Sequence, residues 1–139
     1  MSSTAPVLLA ANGTLMRGLE LNPNLINVGA TFVREATTIP AYRIWSIGDR
    51  HPGMVRVREG GVSVDVEVWA VPPAGLATVL LQEPPGLSIG KLTLSDGQEV
   101  LGVLAEPILC ENQIEITHHR GWRAYLRGRT TPPSSNTTT

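Results

Sequence analysis

The sequence predicts an α+β domain in which strands dominate. Val62, Val64, Val66 and Val68 alternate with Ser63, Asp65, Glu67 and Trp69, the period of a strand with one uniformly apolar face. Residues 91–94 and 99–104 flank Ser95-Asp96-Gly97-Gln98, where Asp-Gly supplies the positive φ of a tight hairpin. Only one internal stretch, residues 72–81, joins a proline start to apolar residues at helical spacing.

Taken in order, the first element is the apolar run Val7-Leu8-Leu9-Ala10-Ala11, a short strand that stops at Asn12-Gly13-Thr14-Leu15-Met16-Arg17-Gly18. A strand ending in a glycine-bearing turn can aim backbone N–H groups at an anion, and it can equally be an ordinary turn. Residues 42–47 and 54–58 read as two more strands separated by the Gly48-Asp49-Arg50-His51-Pro52-Gly53 loop. Gly60-Gly61 turns the chain into the valine strand, and the helix over 72–81 is stopped by Pro84-Pro85. After the hairpin come a closing strand over 114–117 and a terminal helical turn with Trp122, Tyr125 and Leu126 on one face. Residues 130–139 are Thr, Ser, Pro and Asn only, so the expectation is one domain over 1–129 and a disordered tail.

Composition excludes several partners. With 139 residues, 42% of them apolar, the chain can bury a core of its own. A net charge of −1 and the lack of a basic, aromatic-bearing stripe argue against nucleic acid and against anionic membrane surfaces. The first apolar run is too short for a signal or a membrane span and no positive charge precedes it, so the expected location is cytoplasmic. Cys110 is the sole cysteine and reads as a core residue. No cofactor is expected, since nucleotide and dinucleotide loops and the nucleophile elbow are all missing. No metal is expected either. His51 has no ligand partner at metal spacing, and His118 and His119 on a strand would face opposite ways.

Acid/base chemistry is what remains, and Glu83 fits it. It follows the helix, its backbone is fixed by two prolines, and its neighbours are apolar enough to raise its pKa by desolvation. The alternative is a solvated carboxylate at a helix end. Glu67 is the rival, expected to face outward from the valine strand unless the sheet curls with that face inside.

The segments Asn12-Gly13-Thr14-Leu15-Met16-Arg17-Gly18, Glu67-Val68-Trp69-Ala70-Val71-Pro72 and Leu81-Gln82-Glu83-Pro84-Pro85-Gly86, in that order, resemble the γ-glutamylcyclotransferase-like superfamily. Within it the chain is most similar to the C-terminal domain of allophanate hydrolase. That likeness runs through Leu21-Asn22, Pro40-Ala41-Tyr42-Arg43, residues 52–57, 89–92 and 102–106, and Gly121-Trp122-Arg123-Ala124-Tyr125-Leu126. The resemblance implies a small mixed barrel with few short helices and a pocket at one end. It implies Gly13, Thr14 and Leu15 as a backbone cradle for a substrate carboxylate and Glu83 as the proton shuttle. Tyr125 is carried as a substrate-binding candidate through its polar tip, with packing as the alternative. The chain departs from the superfamily at Asn12, where tyrosine is usual, and at Val66, where glycine is. Pro23 stands where the allophanate-type domain has a histidine, and Glu83 where that domain tends to lack a glutamate.

Three functions follow as expectations. One is a small-molecule enzyme acting on a carboxylate-bearing amide or carbamate. Another is an accessory domain that processes N-carboxylated urea products beside a separately encoded amidase. The last is a non-catalytic binding or assembly module.

Overall fold

Two sheets carry the fold in a computed structural model of the chain, which describes residues 5–130. The larger sheet has five strands in the order β2 (Thr31–Thr37), β5 (Asp65–Val71), β1 (Val7–Ala11), β7 (Glu99–Ala105) and β6 (Leu87–Thr93). The β1–β7 pair is parallel and the other neighbours are antiparallel. The smaller sheet orders β4 (His51–Arg56), β3 (Tyr42–Ile47) and β8 (Ile114–Glu115). The described residues also form four α-helices: α1 (Asn22–Asn27), α2 (Pro73–Gln82), α3 (Pro107–Cys110) and α4 (Trp122–Thr130).

The mostly-β α+β class expected from the sequence is the class observed, but the barrel is incomplete. The edge strands β2 and β6 approach one another and meet at a single bridge, Thr38 with Leu94. Pro40, which has no N–H to give a ladder, follows closely, and the chain leaves for the smaller sheet at Tyr42. Leu9, Ile44, Val64, Val68, Leu92 and Ile116 are fully buried between the layers. Cys110 is a core residue as expected, in a small cluster with Ile47 and Ala105.

Several elements differ from the sequence expectation. β4 begins at His51, which draws His51-Pro52-Gly53 out of the expected loop and into the sheet opposite Ile47, Ser46 and Trp45. β5 begins at Asp65, because Val62 makes only an isolated bridge with Tyr42. The closing strand ends at Glu115, and residues Thr117–His119 form a 3-10 turn. His118 and His119 therefore do not splay as on a strand; their rings lie 4.2 Å apart. β2, α1 and α3 carry no clear sequence signal: β2 is a largely exposed edge with a bulge between Phe32 and Arg34, and the two helices have only six and four residues. Thr130 closes α4, and the rest of the expected tail lies outside the described residues.

Gly60 and Gly61 serve the expected turn for different reasons. Gly60 has φ +78°, whereas a Cβ on Gly61 would lie 2.6 Å from the carbonyl carbon of Ala41 and 2.7 Å from the nitrogen of Tyr42. Those are backbone atoms of the strand entry, so nothing can swing aside. Gly61→Ala is expected to lower stability by about 2 kcal/mol, read as a reduced midpoint with unchanged slope in chemical denaturation.

Candidate functional site

The loop after β1 is fastened by its carbonyls. The Gly13 carbonyl accepts from the Met16 N–H at 3.0 Å, that of Thr14 from the Leu21 N–H at 2.9 Å, and that of Leu15 from Asn22 Nδ2 at 2.8 Å. The N–H groups of Gly13, Thr14 and Leu15 have no protein acceptor among the described residues. Successive backbone N–H groups without a protein acceptor are donors that an anion or a carbonyl oxygen can use. Gly13 itself is dictated by packing: a Cβ there would lie 2.5 Å from Pro52 Cδ.

Glu83 faces the same space. Pro84 forbids the helical conformation to the residue before it, so α2 stops and Glu83 turns to φ −75°, ψ 152°. Its side chain lines a crevice together with Asn12, Gly13, Thr14, Leu15, His51, Pro52, Leu87 and Val103. The crevice, about 10 Å³, is the size of one water-sized group. Glu83 Oε2 is buried without a hydrogen-bond partner, and burial pushes the carboxyl up to about 7. Near neutral pH it can therefore hold a proton or release one.

The crevice adjoins a groove of about 540 Å³ that Thr14 and His51 also line, with Leu21, Arg50, Pro84, Pro85 and Leu109 among its walls. His51 is buried, and its Nδ1 lies 3.1 Å from the Pro52 carbonyl oxygen. A carbonyl only accepts, so Nδ1 carries the hydrogen and Nε2 is the nitrogen left for a ligand. Neither His51 nor Asn12 stood out in the sequence as a site residue. The one available signal for His51 was its place in a Gly/Pro-rich connection between strands.

Tyr125 is not brought to this crevice. Its hydroxyl donates to Asp49 Oδ1 at 2.7 Å, as does Ser46 Oγ at 2.6 Å, which leaves the Asp49 carboxyl below its usual range. Asp49 has φ +59°, a conformation few non-glycine residues adopt, and these bonds hold it there. Tyr125 thus braces the hairpin tip from which Arg50 and His51 reach the groove.

Glu67 is the clearest correction. Expected to face outward, it is 2% exposed. Oε1 accepts from the Arg17 backbone N–H at 2.9 Å and from Trp69 Nε1 at 3.2 Å; Oε2 accepts from Arg17 Nε at 3.1 Å and from an Arg123 guanidinium nitrogen at 3.0 Å. Burial alone would raise its pKa, but the Arg17 backbone and side-chain bonds, the Trp69 bond and the Arg17 charge outweigh it and hold the carboxyl below the usual range. Glu67 and Arg123 line a separate cavity of about 520 Å³ with Glu35, Asp65 and Arg127. That cavity is larger than the crevice and similar in size to the groove, yet the Glu67 carboxylate at its wall is already engaged by four donors. Among the described residues no group of three His, Cys, Asp or Glu side chains is placed to hold a metal, and no helix is long and apolar enough to cross a membrane.

Comparison with known proteins gives the family and the fold. The allophanate hydrolase C-terminal domain family model matches residues 7–127. Urea amidolyase of Saccharomyces cerevisiae is 28% identical over 125 residues, which is 85% of this chain but only 7% of that protein. A solved uropathogenic E. coli-specific protein is 59% identical, with a TM-score of 0.87 over 91% of this chain and 98% of that one. An AIG2-like protein of Mus musculus, 15% identical, shares the fold alone, with a TM-score of 0.67 over 81% of this chain and 86% of that one.

Two stability measurements follow. Glu83 ionises near 4.5 when unfolded and near 7 when folded, so the stability its neutral form brings is intact below the first value and lost as pH rises through the second. Glu83→Gln, which stays neutral, should exceed the wild type by about 2 kcal/mol above pH 7, allowing for partial exposure, and match it below pH 4.5. Glu67→Gln should behave oppositely. It should lose about 2–3 kcal/mol at pH 7, and the deficit should shrink as acid protonates wild-type Glu67, because that lowered pKa stabilises only while the group is ionised. Urea denaturation across pH reads both.

Proposed function

This chain belongs to the allophanate hydrolase C-terminal domain family, and on that premise we propose that it is a small-molecule enzyme acting on a carboxylate-bearing amide or carbamate. Gly13, Thr14 and Leu15 hold the substrate's carboxylate or carbonyl oxygen through their N–H groups, and Glu83 handles the proton. The observation that carries the reading is the unpartnered, buried oxygen of Glu83 in the same crevice as three consecutive free amides.

Two reactions use that arrangement with opposite proton order. In cyclisation of a γ-glutamyl amide, ionised Glu83 takes a proton as the substrate's amine forms a C–N bond to the carbonyl. It returns that proton to the departing nitrogen as the old C–N bond breaks. In loss of CO₂ from an N-carboxylated urea, neutral Glu83 gives its proton to the nitrogen, which keeps the electron pair of the breaking C–N bond. Leu15, Leu87 and Val103 beside the carboxylate favour neutral CO₂ over the anion.

The second of these is favoured by the relatives, in which the matching segment is a small part of a much longer urea amidolyase. In that reading the chain works on the product of a separately encoded amidase, with the 540 Å³ groove admitting the substrate.

The pH dependence separates the two chemistries. CO₂ release coupled to a purified amidase should fall as pH rises through about 7, since Glu83 must be protonated; 5-oxoproline release from γ-glutamyl amines should fall as pH drops through about 7. Glu83→Gln should lower either rate by about 100-fold or more. Unchanged turnover in that variant would end the assignment of Glu83.

A further inference from the structure

Asn12 stands immediately before the three free amides and lines the crevice with only 4% of its surface exposed. Its Nδ2 donates to the Val103 carbonyl oxygen at 2.9 Å and lies 3.9 Å from Met54 Sδ. A carbonyl accepts and never donates, so the amide cannot be flipped: the nitrogen is fixed toward β7. Oδ1 is then what Asn12 has left, and it has no protein donor among the described residues. The crevice wall thus presents a lone acceptor next to consecutive donors, between the apolar side chains of Leu15, Leu87 and Val103. In such surroundings an acceptor facing a group that cannot donate is penalised by its lost hydration.

We infer that Asn12 selects the substrate: its Oδ1 accepts a hydrogen from a nitrogen attached to the substrate carbonyl. Carboxylates carrying an amide or carbamoyl N–H are thereby preferred over ketones and esters of the same shape. The inference rests on the carboxylate-cradle reading above and adds to it the group that must lie beside the carboxylate. Met54 and Val103 act only as anchors that fix the orientation of Asn12.

Malonamate and acetoacetate form a matched pair of probes, since they differ only in an NH₂ against a CH₃ on the carbonyl. Titration of each into the full-length protein, followed by the backbone amide NMR signals of Gly13, Thr14 and Leu15, gives both affinity and location. The expected result is about tenfold or more tighter binding of malonamate by the wild type. Asn12→Leu is expected to bind both probes with the wild type's affinity for acetoacetate. Equal affinities in the wild type overturn the role of Asn12 while leaving the cradle standing. If neither probe moves those three signals, the cradle fails and the selection with it. The wild-type comparison decides the matter even if Asn12→Leu does not fold.

Discussion

The buried carboxylate of Glu67 is the constraint on which the working end of the molecule depends. It lies on β5, in the middle of the fold, yet it accepts the backbone N–H of Arg17 and so fixes the far end of the loop that begins at Asn12. The same carboxylate gathers Arg17, Trp69 and Arg123, bringing β5, the loop and α4 to one point. An isolated charge in that place would be costly; four donors make it stable as an anion. Met16 and Arg17, which follow Gly13, Thr14 and Leu15, donate their N–H groups to the Gly13 carbonyl and to Glu67.

The two buried glutamates divide the electrostatic work between them. Glu67 is surrounded by donors and stays ionised, whereas Glu83 meets apolar walls and is driven toward neutrality. The first fixes a backbone; the second keeps a proton available near neutral pH. Their difference is one of environment, since the side chain itself is the same. Tyr125 and Asp49 make a third fixed point, bracing the hairpin that carries His51 to the boundary between crevice and groove.

Elements with a strong periodic or turn signal were legible. The strand Val7–Ala11, the strand Tyr42–Ile47, the helix ended by Pro84 and the Asp96-Gly97 hairpin all stand where local chemistry puts them. β2 was not legible because it is an exposed edge whose stability comes from pairing with β5 rather than from its own alternation. Glu67 was misplaced for a related reason. Alternation tells which residues share a face but not whether a second layer covers that face, and here the loop and α4 cover it.

The sequence by itself determined the fold class, the positions of several main strands along the chain, the polar glycine loop and the candidacy of Glu83, because each rests on neighbours within a few residues. Only the tertiary structure decided that Glu83 lines one crevice with residues 13–15, Asn12 and His51, and that the Tyr125 hydroxyl is bonded to Asp49 instead. Those facts depend on contacts between residues some 40 to 90 positions apart, such as Asn12 with Met54 and Val103. Local propensity does not encode such contacts; packing of the assembled sheets does.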